Sequence, residues 1–434
     1  MKDAQDFQKS TIKKISIRLL PFLTAAYFLA SLDRVNVGFA ALQMNADLGI
    51  DAQAYGFGAG LFFISYCLFA LPGSLLMNRF GVRKWLAISM LSWGIASTCM
   101  AFVQGPVSFI VLRFLLGMAE ASFFPTIIFY FTQWFPQNYR SRVVAVLMMA
   151  VPLSSVLGSP LSAGIMMLDD LMSLKGWHWL FIIEGSPAIF MGILAFYVLP
   201  ENVDSASFLN GKEKAWLKGE TSQDSASKDS SEQVSLIDLF RDKKVWMLAF
   251  IYIGGNSVTN ALSLWQPQII KSYNLSIIQT GMLNSVPFAL AALAMYFWAS
   301  HADKSNEHKY HLLIPLSFSS IALVATTFIN QLLPLIVILC IAISAASTIK
   351  GPFWALTSKI ISGRNSGQAI AAINALNSLG VFAATYTIGA VKTLTGNFTY
   401  AMLPIAAIGV IACLSTLIIH KVNLHKSANK AVVK

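Results

Sequence analysis

Apolar runs of roughly 20 residues recur along almost the whole chain, separated by short polar turns and by one long polar stretch. Each run is long enough to cross the ~30 Å hydrocarbon layer as a helix, which satisfies its own backbone where no water is available. The runs lie near 17–39, 54–77, 84–104, 107–133, 142–166 and 178–198, and then near 245–270, 277–299, 311–330, 333–357, 367–394 and 398–420. The predicted fold class is therefore an all-α membrane protein of twelve transmembrane helices in two pseudo-symmetric halves. Composition agrees: 56% of the 434 residues are apolar and 12% are charged, about half the charged fraction of an ordinary soluble domain.

A formal charge of +11 would suit a nucleic-acid partner if the basic residues shared one patch. They alternate between loops instead. Lys9, Lys13, Lys14 and Arg18 lie before or at the very start of the first run, and Arg79, Arg83 and Lys84, then Arg140 and Arg142, occupy every second loop. Lys304, Lys309, Lys359, Arg364 and the C-terminal tail continue the series, whereas the opposite loops hold Lys175, Lys271 and Lys392. This positive-inside pattern predicts an even number of spans with both termini cytoplasmic, a lipid bilayer as partner and no nucleic acid.

The stretch 201–244 changes character, with Ser, Asp, Glu and Lys dominating around 221–232, and reads as a cytoplasmic linker. Residues 1–200 and 245–434 are then the two six-helix halves. A weak internal echo supports the pairing: Asn78, Arg79, Gly81, Arg83 and Lys84 follow the second run, and Asp303, Lys304 and Lys309 follow the eighth. Paired halves are the plan of transporters that rock about a midplane site. Gly158, Pro160 and Gly164 in the fifth run allow close approach or bending.

Charges inside the apolar runs carry the chemistry. Asp33 and Arg34 lie in the first run and Arg113 and Glu120 in the fourth. Burying them is costly unless they face one another or a polar cavity, so they mark a functional site. Adjacent residues on a helix diverge by about 100°, so Asp33 and Arg34 need different polar surroundings, unless they form a pair neutralised at a helix end. A spacing of seven places Arg113 and Glu120 on one face. A buried carboxylate whose charge depends on a nearby arginine can take up or lose a proton as that arginine moves, which is the chemistry of proton coupling; the alternative is a lock between two helices.

Arg34 and Arg113 are candidate anion clamps, because a guanidinium makes two parallel bonds to a carboxylate. Lys350, before Gly351 and Pro352, is a third intramembrane cation that either meets substrate or snorkels to an interface. Tyr66, Asn256, Asn260, Trp265, Trp354, Asn374 and Asn377 line a cavity or join helices. Glu184, beside Trp177, His178 and Trp179, reads as an interface anchor or interhelical bond. Cys67, Cys99, Cys340 and Cys413 lack paired spacing, His308 and His311 lack partners for a metal, and neither a catalytic triad nor a phosphate-binding loop is present. The expectation is a protein without cofactor other than a coupling proton, and without catalytic or metal residues.

LDRVNVGFA at 32–40, NRFGVRK at 78–84, RFLLGMAEASFFP at 113–125, QWFP at 133–136, WLFIIEGSPA at 179–188 and GPFWAL at 351–356 together resemble the major facilitator superfamily, and within it the anion:cation symporter family, over essentially the whole chain. The resemblance implies proton-driven uptake of organic anions such as sugar acids, dicarboxylates or aromatic carboxylates, across a bacterial inner membrane and by a monomer. It implies Asp33 and Glu120 as proton carriers, Arg34 and Arg113 as their charged partners and anion contacts, and Tyr66 and Trp354 as cavity lining; Asn260, Asn377 and Ser378 are further candidate substrate contacts read from the residues themselves. Asn78, Arg79, Gly81, Arg83 and Asp303 would form the gating loops. This sequence departs from the pattern at Asn78, where many relatives have Asp, and in the eleventh run, where Asn377-Ser378 and Ala384-Thr385 replace Gly-Asn and Gly-Pro. Lys350 has no counterpart in the pattern. An exchanger or exporter of the same fold remains the alternative; a membrane enzyme would need a cluster of His, Asp or Glu at one face.

Overall fold

Along the long helices many outward-facing side chains are large and apolar, the reverse of a water-soluble bundle. Leu75 is 70% accessible and Phe328 81%, surfaces that only lipid covers favourably. The computed structural model describes residues 2–226, 241–305, 307–361 and 366–432. Eleven helices among these are long and apolar enough to span a membrane: α1 (Gln5–Asp47), α2 (Ala52–Phe80), α3 (Val82–Phe102), α4 (Pro106–Trp134), α5 (Gln137–Ile165), α6 (Gly176–Val198), α7 (Lys243–Lys271), α8 (Ile277–Ser305), α9 (Lys309–Phe328), α10 (Leu332–Ile360) and α11 (Gln368–Thr395). A shorter apolar helix, α12 (Leu403–Ile419), completes the set. The chain is an all-α, multi-pass membrane protein.

Several helices run beyond the apolar runs, because α1 and α2 continue through flanking polar residues without a breaker. Three are interrupted, at Ala121–Ser122 in α4, Met149 in α5 and Ile349 in α10. Each break lies three or four residues before a proline, Pro125, Pro152 or Pro352, where the ring removes a backbone donor and crowds the preceding carbonyls.

The segment 201–244 is not simply a loop, which corrects the sequence expectation. Gly211–Ala226 is helical, and its start is a reciprocal cap: Asn210 N donates to Glu213 Oε2 at 2.8 Å and Glu213 N to Asn210 Oδ1 at 2.9 Å. Leu217 is fully buried, Trp216 packs edge-on to Phe7 at 6.2 Å, and Lys14 Nζ donates to Glu213 Oε1 at 2.6 Å. This short helix therefore docks on the start of α1. Residues 227–240, most of the polar tract, lie outside the described residues, as do Arg364 and the end of the tail.

Buried apolar side chains fall into three clusters that define how the halves meet. One joins both halves and includes Val37, Phe39, Tyr55 and Phe109 from the first, with Leu264, Trp265, Phe288 and Ile388 from the second. All sit toward the end of the bundle that carries the α1–α2 and α7–α8 loops. Toward the opposite end each half has its own core, one around Leu23, Trp93 and Phe131 and the other around Leu248, Phe353 and Ile373. Hydrogen bonds agree with this division: Tyr55 Oη donates to Leu264 O at 3.0 Å, Gln53 Nε2 to Tyr386 Oη at 2.8 Å, and Asn284 Nδ2 to Ser159 Oγ at 2.8 Å. A Cβ on Gly56 would stand 2.9 Å from Thr385 O, so the α2–α11 approach depends on a bare backbone there. Among the described residues, the buried apolar side chains join the halves at one end and form separate clusters at the other.

Candidate functional site

Asp33 and Arg34 leave α1 in different directions, as helical geometry requires. Asp33 is 1% accessible and faces into the first half, where Ser97 Oγ on α3 and Asn36 Nδ2, at 3.1 Å, both donate to its Oδ1. Arg34 instead crosses to α4: its Nε donates to Glu120 Oε2 at 2.7 Å. Glu120 is fully buried, while the arginine side chain keeps 25% of its surface accessible. The ion pair thus has one dry end and one open end.

The sequence spacing that set Arg113 beside Glu120 does not describe their hydrogen bonds. Arg113, 1% accessible, donates through Nη2 to Ala59 O at 3.4 Å and lies over the Phe62 ring, 4.9 Å from its centroid. Arg34 stacks on Tyr66 at 5.0 Å and on Phe62 at 5.7 Å. Two guanidiniums therefore share one aromatic ring, an arrangement favoured by the negative face of the ring and by exclusion of water. Sequence reasoning missed Phe62; its only signal was its place one turn before Tyr66 on α2. It also missed Ser97 and Asn36, which hold Asp33.

Arg34 Nη2, Arg113 Nε, Glu120 Oε1 and Asp33 Oδ2 are buried and without a hydrogen-bond partner among the described residues. Unpaired buried donors on two arginines amount to unused capacity for an anion. Glu184, 3% accessible, accepts from Ser162 Oγ at 2.7 Å, and Asn36 and Asp33 lie nearby. It is an interhelical bond in the core of the first half, not a membrane-interface anchor.

The candidate residues of the second half are aromatic and amide side chains. Trp354 is partly accessible and packs on Tyr252 at 5.2 Å, and Phe353 stacks on the same tyrosine at 4.7 Å. Asn377 is 8% accessible with its Oδ1 unpartnered. Asn260 spends its amide on Asn256, at 2.8 Å to the carbonyl and 3.0 Å to the side chain, and Ser378 donates to Asn374 O at 3.1 Å. Asn374 is exposed, and Trp265 is buried with its ring nitrogen donating to Thr385 O at 3.0 Å. His311 pairs with His301 at 2.8 Å and with Glu307 at 3.0 Å, at the α8–α9 turn.

The proposed gating loops stand at the unsealed end. Asn78, Arg79 and Asp303 are exposed, and Gly81 has φ +85°, a conformation that favours glycine. Arg83 donates to Glu201 Oε2 at 2.9 Å, tying the α2–α3 loop to the end of α6.

Comparison with known proteins places this geometry in context. The sequence profile described as Major Facilitator Superfamily matches residues 23–385. A protein named putative tartrate transporter from Agrobacterium vitis is 39% identical over 416 residues, covering 96% of each chain. The quinolone resistance transporter of Acinetobacter baumannii is 34% identical, again over 96% of each chain. Among solved structures, a bacterial homolog of the human lysosomal transporter Spinster, described as inward-facing and unoccupied, superposes with a TM-score of 0.76 at 16% identity, over 93% of this chain and 96% of that one.

Proposed function

Because this chain belongs to the major facilitator superfamily, we propose that it is a proton-coupled symporter importing an organic anion by alternating access. The observation that carries the reading is the Arg34–Glu120 pair, a dry carboxylate held at 2.7 Å by an arginine with an accessible side. A substrate carboxylate arriving at Arg34 and Arg113 competes with Glu120 for the guanidinium. Glu120, left in an apolar pocket without its counter-charge, then takes a proton and becomes neutral. Substrate and proton thereby occupy the site together. Asp33, on the same turn of α1, is the second proton carrier, coupled to the helix movement through Ser97 and Asn36.

Tyr66 and Trp354 form opposite walls, and Asn260, Asn377 and Ser378 read the rest of the substrate once their helices shift. The name of the 39% identical relative, a tartrate transporter, supports a carboxylate cargo. The chain sits in a bacterial inner membrane as a monomer with both termini in the cytoplasm, which makes the sealed end the outer one and the structure inward-facing. Asn78, Arg79, Gly81 and Arg83, with Asp303 in the second half, rearrange when the cytoplasmic ends close. The proton is the sole coupling ion, and no further cofactor takes part. The second reading, an exporter or exchanger, takes its support from the relative named for quinolone resistance.

Uptake of radiolabelled sugar acids, dicarboxylates and aromatic acids into proteoliposomes tests the proposal. Accumulation that needs an inward proton gradient is the expected outcome. Glu120→Gln and Asp33→Asn should abolish that accumulation, while Glu120→Gln retains counter-substrate exchange. Undiminished uphill uptake by Glu120→Gln would remove the role given to that residue, and transport driven only by counter-substrate would favour the exchanger.

A further inference from the structure

A layer of buried polar side chains crosses the first half, and three close helix contacts set its height. Gly185, next to Glu184 on α6, approaches α3 so closely that a Cβ there would stand 2.9 Å from Ser97 Oγ, the hydroxyl that bonds Asp33. Gly176, at the start of α6, meets α1, where its Cβ would stand 3.0 Å from Gln43 Oε1. As first and sixth spans these two helices run in opposite directions. Eight residues on from Gly176 and seven back from Gln43, at about 1.5 Å rise per residue, Glu184 comes level with Asn36. Gly158 of α5 faces Leu32 of α1, and one turn further along this parallel pair lie Ser162 and Asn36. The side-chain bonds agree: Ser162 Oγ donates to Glu184 Oε1 at 2.7 Å, Asn36 Nδ2 donates to Asp33 Oδ1 at 3.1 Å, and Asn36 is within hydrogen-bond reach of Glu184.

This layer is short of hydrogens. Asp33 Oδ2, Asn36 Oδ1 and Glu184 Oε2 are buried without a hydrogen-bond partner among the described residues, and all three are acceptors. With both carboxyls ionised, two negative charges and three unmet acceptors would share a dry layer, which is costly on both counts. One proton relieves this, because it turns one orphan oxygen into a donor that bonds a second orphan. Asn36 is suited to stand between the carboxyls: its amide accepts from a protonated one through Oδ1 and donates to an ionised one through Nδ2. Their surroundings differ. Asp33 receives two donors, Ser97 and Asn36, and lies within electrostatic reach of Arg113 on α4 and Arg34 on α1. Glu184 receives the Ser162 hydroxyl and forms no ion pair among the described residues, and the charged group that acts on it is Asp33.

We propose that Glu184 and Asp33 share one proton across Asn36, and that Glu184 holds it in this conformation and gives it to Asp33 when an anion occupies the arginines. The proposal rests on the transport reading above and adds to it a residue that stores the proton. In the transfer an O–H bond breaks at Glu184, one forms at Asp33, and the amide of Asn36 turns over, so no charge enters or leaves the layer. An anion on Arg113 and Arg34 takes away the positive charge that favours ionised Asp33, which is what moves the proton. Until then the proton is kept in a buried layer, away from the accessible side of Arg34.

Infrared difference spectroscopy of the purified full-length protein in detergent tests this through the C=O stretch of a protonated carboxyl. At neutral pH wild type should show such a band that Glu184→Gln removes. Arg113→Gln takes away the arginine charge without any ligand; in it the Glu184 band should be lost and a band that Asp33→Asn removes should replace it. Glu184→Gln should also abolish gradient-driven accumulation in proteoliposomes, although it keeps the size and the hydrogen-bonding capacity of a side chain with a purely structural role. A spectrum that Glu184→Gln leaves unchanged, a Glu184 band that persists in Arg113→Gln, or undiminished accumulation by Glu184→Gln overturns the assignment. Bands that behave as expected in a wild-type protein whose uptake ignores the proton gradient would leave the shared proton standing and end the symport reading. If Glu184→Gln does not fold, Ser162→Ala replaces it: losing the hydroxyl from the carboxyl oxygen should move the Glu184 band to higher frequency, and a protonated-carboxyl spectrum without that shift overturns the assignment.

Discussion

Arg34 Nε and Glu120 Oε2 stand 2.7 Å apart across α1 and α4, and of the two only the arginine keeps accessible surface. That asymmetry makes the pair an exchange point: a ligand reaches the cation without first displacing the carboxylate from its pocket. The neighbouring Phe62 ring lies beneath both guanidiniums, so the positions of Arg34 and Arg113 depend on each other.

Phe62→Leu should therefore weaken both arginines at once. A cation–π contact is worth roughly 0.5–2 kcal/mol, so the KM of gradient-driven uptake should rise several-fold, with a larger rise for Arg113→Lys, which replaces a fork by a point charge. Uptake kinetics of the two variants check this. An unchanged KM in both would show that the shared ring does not organise the site.

The sealed end depends on a few polar bonds between the halves. Tyr55→Phe and Asn284→Ala each remove one, worth about 1 kcal/mol net, and should shift the balance toward the conformer open at that end. Electron-electron distance measurements between spin labels on the α1–α2 and α7–α8 loops should show a longer-distance population growing in the double variant. Identical distance distributions would mean that the apolar cluster alone maintains the closure.

Outside the membrane, Glu213 links the linker helix to α1. Burial pushes its carboxyl up, but the Lys14 ammonium and the Asn210 backbone N–H outweigh burial and hold it below the usual carboxylate range. A depressed carboxylate stabilises docking fully above its unfolded value of about 4.3 and loses that contribution as pH falls through the lower folded value. Hydrogen-exchange protection of 211–221 should be steady from about pH 7 to 5 and fall below about pH 4. Glu213→Gln should reduce protection at neutral pH and remove the acid dependence; an acid dependence that survives in Glu213→Gln would assign it to another group.

The linker helix also shows what sequence reading overlooked. Asn210 and Glu213 form an N-cap signature three residues apart, and Trp216 and Leu217 follow it. The polar average of the whole segment hid a short amphipathic element whose apolar side is useful only because Phe7 and Lys14 lie opposite. The three helix breaks precede Pro125, Pro152 and Pro352, yet Pro21, Pro72, Pro160, Pro187, Pro267, Pro287 and Pro315 stand inside continuous helices, so which prolines interrupt their helix was decided by the packing around them.

Spans, loop charges and buried ionisable residues follow from local rules, because length, polarity and the cost of a charge in lipid belong to each segment by itself. The divergence of Asp33 from Arg34 is of the same kind. Pairing belongs to the tertiary structure. Arg113 and Glu120 share a face of α4 by spacing, yet Glu120 bonds to Arg34 and Arg113 turns to Ala59 and Phe62, because partners are chosen by distances between helices.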